Sequence, residues 1–121
     1  MSLDMDIKYK STVIEKGKPE VYHDGGSRGG GVISFCCGTC GDKSTKETFY
    51  FWKENRESEQ SIIDLLGDHL NLPDINSRRD TLVGLLDCSA CDSTHALHIN
   101  YGEVSNGHWQ CSLHKVVLCN S

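Results

Sequence analysis

Four cysteines carry the clearest chemistry in this sequence. Cys37 and Cys40 form one Cys-x-x-Cys pair, and Cys88 and Cys91 form a second. Such a turn lets one short loop supply two thiolates while its backbone N–H groups donate to the sulfurs. Two such turns complete the tetrahedral set of soft ligands that zinc prefers, with Zn–S near ~2.3 Å. Cys37, Cys40, Cys88 and Cys91 are therefore the expected ligands of one structural Zn2+. Gly41, directly after the first pair, tolerates the left-handed backbone that these knuckles adopt. Asp92, in the same place after the second pair, reaches that conformation at a modest cost.

The motif Cys37-Gly38-Thr39-Cys40-Gly41 resembles the knuckles of zinc-ribbon and rubredoxin-type proteins, and Cys88-Ser89-Ala90-Cys91-Asp92 resembles them with Asp in place of Gly. The resemblance covers the two knuckles and their flanking strands, and implies a structural zinc ion that clips two hairpins together. Residues 41–87 separate the two pairs, against roughly 15–20 residues in the compact two-knuckle pattern. A helix packed across a zinc-pinned sheet is the arrangement this insertion implies.

Other residues compete for the site. Cys36 precedes Cys37, but neighbouring strand residues point to opposite faces, so only one of them should ligate, and spacing favours Cys37. His95 or His98 could replace one cysteine as the fourth ligand. Cys111 and Cys119 would lie ~27 Å apart in an unbroken strand, too far to share an ion. His108, Cys111 and His114 have a ligand-like spacing, read here as ordinary strand residues. A thioredoxin-like dithiol needs a helix after its first cysteine to stabilise the thiolate. Gly41-Asp-Lys-Ser-Thr45 follows the first pair and offers none.

The elements that must hold these groups follow from pattern. Residues 7–14 alternate apolar and polar, Val21-Tyr22 begins a second short strand, and Val32-Ile33-Ser34-Phe35 leads into the first knuckle. Between them the glycine-rich segment Asp24 to Gly31 reads as a loop. Thr48-Phe-Tyr-Phe-Trp52 is aromatic and reads as the strand returning from that knuckle. Ser58 to Leu70 reads as a helix with Ile62, Leu65, Leu66 and Leu70 on one face, Ser58 as its N-cap and Asn71 and Pro73 at its end. Asp74 to Leu86 suits either a second helix or, over Leu82–Leu86, a buried strand. Past the second knuckle, Ala96 to Tyr101 alternates, Ser105-Asn106-Gly107 signals a hairpin turn and Trp109 to Leu118 forms the last strand. The order apolar run, Cys-x-x-Cys, polar turn, strand occurs at 32–52 and again at 82–101. The expectation is a single α+β domain: a small antiparallel β-sheet of about six strands with one or two helices, two of its hairpins clipped by zinc.

Composition narrows the function. The chain has 121 residues, 37% hydrophobic and 24% charged, and its net charge is −5. That fits a soluble globular domain without a membrane-spanning segment. The N-terminus lacks the apolar core of a secretory signal, Met5 reads as a natural start, and seven cysteines then point to thiol or metal chemistry in the cytoplasm. Nucleic-acid binding rests on clustered Lys and Arg, and only Arg78-Arg79 is dense here. A nucleic-acid-associated zinc ribbon is thus the alternative to a non-enzymatic domain that binds a protein partner of basic character.

Two further resemblances bear on function. Val21-Tyr22 followed by Asp24-Gly25-Gly26-Ser27-Arg28-Gly29 resembles the first strand and turn of the ribonuclease H family. That likeness implies a Mg2+-dependent nuclease, with Asp24, Glu57 or Glu59, and Asp80 as metal-binding carboxylates. The polar segment Asn76-Ser77-Arg78-Arg79 departs from the buried strand that family requires. Tyr101-Gly-Glu103, with Asn106-Gly107 and Trp109 after it, resembles small bacterial immunity proteins, which implies neutralisation of a toxin by direct binding.

Overall fold

The computed structural model describes residues 7–15, 19–23, 32–72, 81–105 and 108–120, with 19–23, 101–105, 108–112 and 120 described by backbone course alone. The Asp24–Gly31 loop, Arg78-Arg79, Asp80 and the Asn106-Gly107 turn lie outside these residues. The described chain is an α+β fold. In order it runs β1 (Lys8–Ile14), β2 (Pro19–His23), β3 (Val32–Cys36), β4 (Lys43–Glu47), α1 (Thr48–Asn55), α2 (Glu59–Leu66), a 3-10 turn (Gly67–His69), β5 (Thr81–Asp87), β6 (Thr94–Ser105) and β7 (His108–Asn120).

Five strands form one antiparallel sheet in the order β1-β7-β6-β5, with β2 pairing β7 beside β1. The long strand β7 accepts both partners on one edge: Pro19–His23 pairs with Ser112–His108, and Lys8–Ile14 with Asn120–Val116. β3 and β4 form a separate two-stranded hairpin. Among the described residues no helix is long and apolar enough to cross a membrane.

The core is divided by the sheet, because alternate residues of a strand face opposite sides. Leu82, Leu97 and Ile99 lie on one face, under Ile33 and Phe35 of the β3–β4 hairpin and Phe51 of α1. Val83, Ala96 and Val117 lie on the other, under Ile62, Leu66 and Leu70. β6, in the middle, is therefore buried on both sides from His95 to Ile99. The hairpin, the sheet and α2 make three layers.

Three expectations are corrected by this arrangement. Thr48–Trp52 is not a strand: β4 ends at Glu47, and Thr48 to Asn55 is α1. Aromatic residues favour strands, but alternation would bury Phe49 with Phe51, whereas the helix turns only Thr48, Phe51 and Asn55 inward. Tertiary packing decides, because α1 lies across Gly84 of β5. A Cβ at Gly84 would come within 2.5 Å of the Asn55 side chain and 2.7 Å of the Phe51 ring. Of the two readings of Leu82–Leu86 the strand is the one formed, and the expected helix is α2, followed at Asn71 by the left-handed region, φ 54°. The second correction is at the start of α2. Ser58 makes no side-chain cap; its carbonyl instead accepts from the Ile62 N–H at 3.1 Å. Third, Leu65 leaves the expected apolar face and is exposed.

α1 and α2 sit on opposite faces of the sheet, and the turn between them passes round the free edge of β5. Asn55 covers that edge. Its Oδ1 accepts from the Leu85 N–H at 2.9 Å, and its Nδ2 donates to the Leu85 carbonyl at 3.3 Å and the Phe51 carbonyl at 2.9 Å. Glu59 adds a carboxylate oxygen 3.0 Å from the Val83 N–H. Unpaired edge groups invite association with another strand, and here side chains from two helices satisfy them. Replacing Gly84 with Ala should cost about 1–3 kcal/mol, the usual penalty for overpacking a closed contact. Urea unfolding of wild type and variant measures it, and an unchanged midpoint would show that α1 does not rest on Gly84.

Candidate metal centre

Each knuckle closes the tip of a hairpin, and the two tips are built alike. In the first, the Cys37 N–H donates to the Asp42 carbonyl at 2.8 Å and the Gly41 N–H to the Cys37 carbonyl at 3.0 Å. In the second, the Cys88 N–H donates to the Ser93 carbonyl at 2.8 Å and the Asp92 N–H to the Cys88 carbonyl at 2.9 Å. The Thr39 N–H points at the Cys37 sulfur, 3.3 Å away, and the Ala90 N–H at the Cys88 sulfur, 3.4 Å away. Gly41 and Asp92 both have positive φ, 80° and 61°. The strand pairs leaving the tips also correspond, Cys36 opposite Lys43 and Asp87 opposite Thr94. The internal echo in the sequence is thus a repeated hairpin and knuckle, although the second half of the first repeat, 48–52, is helical.

The hairpin tips meet. Cys37, Cys40, Cys88 and Cys91 place their sulfurs within 4.8 Å of one another. Two contacts cross between knuckles, Cys37 to Cys91 and Cys40 to Cys88, both 3.6 Å. A disulfide needs ~2.05 Å, and a tetrahedron of sulfurs around an ion at ~2.3 Å has edges of ~3.8 Å. The geometry is that of a metal-binding group and not of a disulfide pair. In each knuckle the first cysteine is buried and the second exposed. The cluster therefore sits at the rim of the sheet, with one side on the core.

The thiols differ in how readily they ionise. Burial opposes the Cys37 thiolate, but N–H groups of Cys40 and Thr39 and the thiols of Cys91 and Cys88 outweigh it and lower the pKa to about 5. The Ala90 N–H, against the opposing effect of burial, holds Cys88 below its ordinary value. For Cys40 the Asp42 backbone favours the thiolate, yet burial and the neighbouring sulfurs prevail and push it up to about 12. Four mutually close thiols cannot all ionise without a cation to balance them. A metal ion would supply that charge.

Side chains beyond the sulfurs bind the two knuckles together. His95, on β6 beneath the β3–β4 hairpin, accepts at Nε2 from the Gly38 N–H at 3.1 Å, and its ring meets the Phe35 ring edge-on, centroids 4.9 Å apart. The Ser93 hydroxyl donates to Thr39 Oγ1 at 2.9 Å, and the Cys91 thiol lies 3.1 Å from Ser93 Oγ. Gly38 itself is tight against β1: a Cβ there would stand 2.8 Å from Val13. A shallow groove bordered by Lys10, Thr39 and Asp92 opens beside the exposed Cys91.

The competing ligands lie elsewhere. Cys36 is exposed on β3 and outside the sulfur cluster. His95 is occupied by Gly38, and His98, on the opposite face of β6, donates from Nδ1 to the Leu70 carbonyl at 2.8 Å. β7 runs from His108 to Asn120 without a turn near His114, so Cys111 and Cys119 remain far apart along it. Cys119 is buried, and that burial raises its thiol to about 11. Among the described residues no second cluster of potential ligands occurs. Sequence reading considered His95 only as a ligand; its role as acceptor for Gly38 depends on a register that spacing does not reveal.

No protein-family model, no curated protein and no solved structure matches this chain.

Removing the His95 ring takes away the acceptor of the Gly38 N–H, a part-buried bond of about 0.5–1.5 kcal/mol. His95→Ala should therefore release metal faster to a chromogenic chelator than wild type. An unchanged release rate would show that the link does not support the site. Metal binding should also weaken as pH falls from about 8 to 5, since each ligand must lose its proton to bind and acid competes for the thiolates. Chelator competition across that range measures the slope.

Proposed function

We propose that Cys37, Cys40, Cys88 and Cys91 hold one structural Zn2+, and that the chain is a non-enzymatic, zinc-stabilised domain that works by binding a protein partner. The observation that carries the metal assignment is the set of four sulfurs within 4.8 Å, contributed equally by two like knuckles. All-sulfur tetrahedral sites of this kind favour Zn2+. Four protein ligands close the coordination sphere, leaving no position for a substrate or an activated water, which argues for a structural ion. Free thiols in the cluster suit a reducing compartment such as the cytoplasm.

The energy scale explains why such a site would be retained. Zinc binding to small thiolate sites contributes about 10–16 kcal/mol, as large as the whole stability of an ordinary domain at about 5–15 kcal/mol. Here the ion would tie the β3–β4 hairpin, which shares no backbone ladder with the main sheet, to that sheet at the knuckle end.

Of the carboxylates in the ribonuclease H resemblance, Glu57 is exposed. Asp24 and Asp80 lie outside the described residues, and Glu59 is turned to the Val83 N–H. The net charge of −5 favours a basic protein over nucleic acid as partner.

Elemental analysis of purified protein should find about one zinc per chain, lost in both Cys37→Ser and Cys88→Ser. Absence of metal from freshly reduced wild type would end the zinc assignment. Chelation should raise amide hydrogen exchange first in residues 32–47, before β6 and β7, because the hairpin depends on the clip and the central strands do not. Uniform exchange across the sheet would instead show that the ion supports the whole fold.

A further inference from the structure

The two knuckles are alike in their backbone and differ around their exposed ligands. Asp42 of the first knuckle holds the place of Ser93 beside the second, since each supplies the carbonyl that accepts from the first cysteine's N–H. Thr39 likewise stands where the second knuckle has Ala90, each aiming its N–H at the first sulfur. Cys40 is met by the Asp42 backbone, and among the described residues no hydroxyl reaches it. Cys91 instead lies 3.1 Å from Ser93 Oγ, which lies 2.9 Å from Thr39 Oγ1. A chain of two hydroxyls thus starts at the exposed sulfur of the second knuckle and ends on the first.

Counting protons fixes how this chain runs around a bound ion. A hydroxyl carries one proton and turns it to suit its neighbours, so the two distances admit either direction. A cysteine that binds a metal is a thiolate and has no proton to give. Its 3.1 Å contact with Ser93 is then a hydrogen bond that Ser93 donates. The single proton of Ser93 is committed there, so across the 2.9 Å contact it is Thr39 that donates. Hydrogen bonds from supporting residues draw charge from a ligand atom, hold its orientation and make a thiolate less nucleophilic. Cys91 is where such support matters, because it is exposed beside the groove that Lys10 and Asp92 border.

We infer that Ser93 and Thr39 are positioning residues of the zinc centre: Ser93 donates to the Cys91 thiolate, and Thr39, from the opposite knuckle, orients Ser93. This rests on the zinc assignment proposed above and names the residues that shield its exposed sulfur. It is the counterpart of the His95 link. His95, on the strand leaving the second knuckle, supports the first at Gly38, and Thr39 of the first supports the second at Ser93.

The test treats zinc-loaded full chain with iodoacetamide and follows alkylation of each cysteine by mass spectrometry, with bound zinc measured alongside. Cys40, the other exposed ligand, is the internal reference. Ser93→Ala should raise the Cys91 rate relative to Cys40 about tenfold, the lower end of what supporting partners contribute. Thr39→Val keeps the shape and removes the hydroxyl, and should raise the ratio by a smaller factor. Thr39→Ser restores the hydroxyl and should leave the ratio at its wild-type value. An unchanged ratio in zinc-loaded Ser93→Ala would overturn the inference and leave the zinc site standing. So would an equal rise at all four ligands, which marks general loosening, or a Thr39→Ser variant that behaves as Thr39→Val. Wild-type chain that takes up no zinc would overturn the metal assignment and this inference together.

Discussion

The meeting of two hairpin tips is the constraint on which the architecture depends. β3 and β4 share no ladder with the five-stranded sheet. They are held by Ile33 and Phe35 packed on the sheet face, by the Gly38–His95 hydrogen bond, and by the four sulfurs at the rim. Apolar packing is non-directional and would tolerate some sliding of one layer on another. The hydrogen bond and the sulfur group are directional, and they fix where the hairpin stops. Each knuckle contributes a buried and an exposed cysteine, so the clip joins core to rim on both sides of the contact.

A second constraint acts at the far edge of the sheet. Among the described residues no strand lies beyond β5, and its outward amide groups are met by Asn55 and Glu59. Asn55 imitates a paired strand by giving one N–H and accepting another at the same residue, Leu85. This needs α1 to lie close, and Gly84 provides the space. The turn linking α1 to α2 can then carry the chain from one face of the sheet to the other. The same placement that seals the edge turns Phe49, Tyr50 and Trp52 away from the core.

How the thiols share charge follows from the same geometry. Backbone N–H groups aimed at Cys37 and Cys88 favour their thiolates, and the crowded neighbours of Cys40 oppose a further negative charge. The first cysteine of each knuckle is thus more readily ionised than an ordinary thiol, and a divalent cation would balance the charge of all four thiolates.

The sequence by itself determined the local pieces. The two Cys-x-x-Cys pairs, the left-handed residues Gly41 and Asp92, the alternation through β6 and the spacing of Ile62, Leu66 and Leu70 are set by residues near one another in the chain, so their patterns are legible. That only one of Cys36 and Cys37 joins the site follows from strand alternation, and the Cys-x-x-Cys spacing selects Cys37. What only the tertiary structure decided depends on residues far apart. Thr48–Trp52 has strand-forming residues, but its inward residue Phe51 meets Gly84, more than thirty positions away, and that contact selects a helix. Leu65 has the period of a core residue and faces water, because β5 offers α2 a contact only along the Ile62–Leu66 line. His95 has the chemistry of a ligand and serves as a hydrogen-bond acceptor, because the register of two hairpins puts Gly38 in front of it. Periodicity and spacing describe one element at a time; pairing across layers is fixed by packing and hydrogen bonding between elements, which no local pattern encodes.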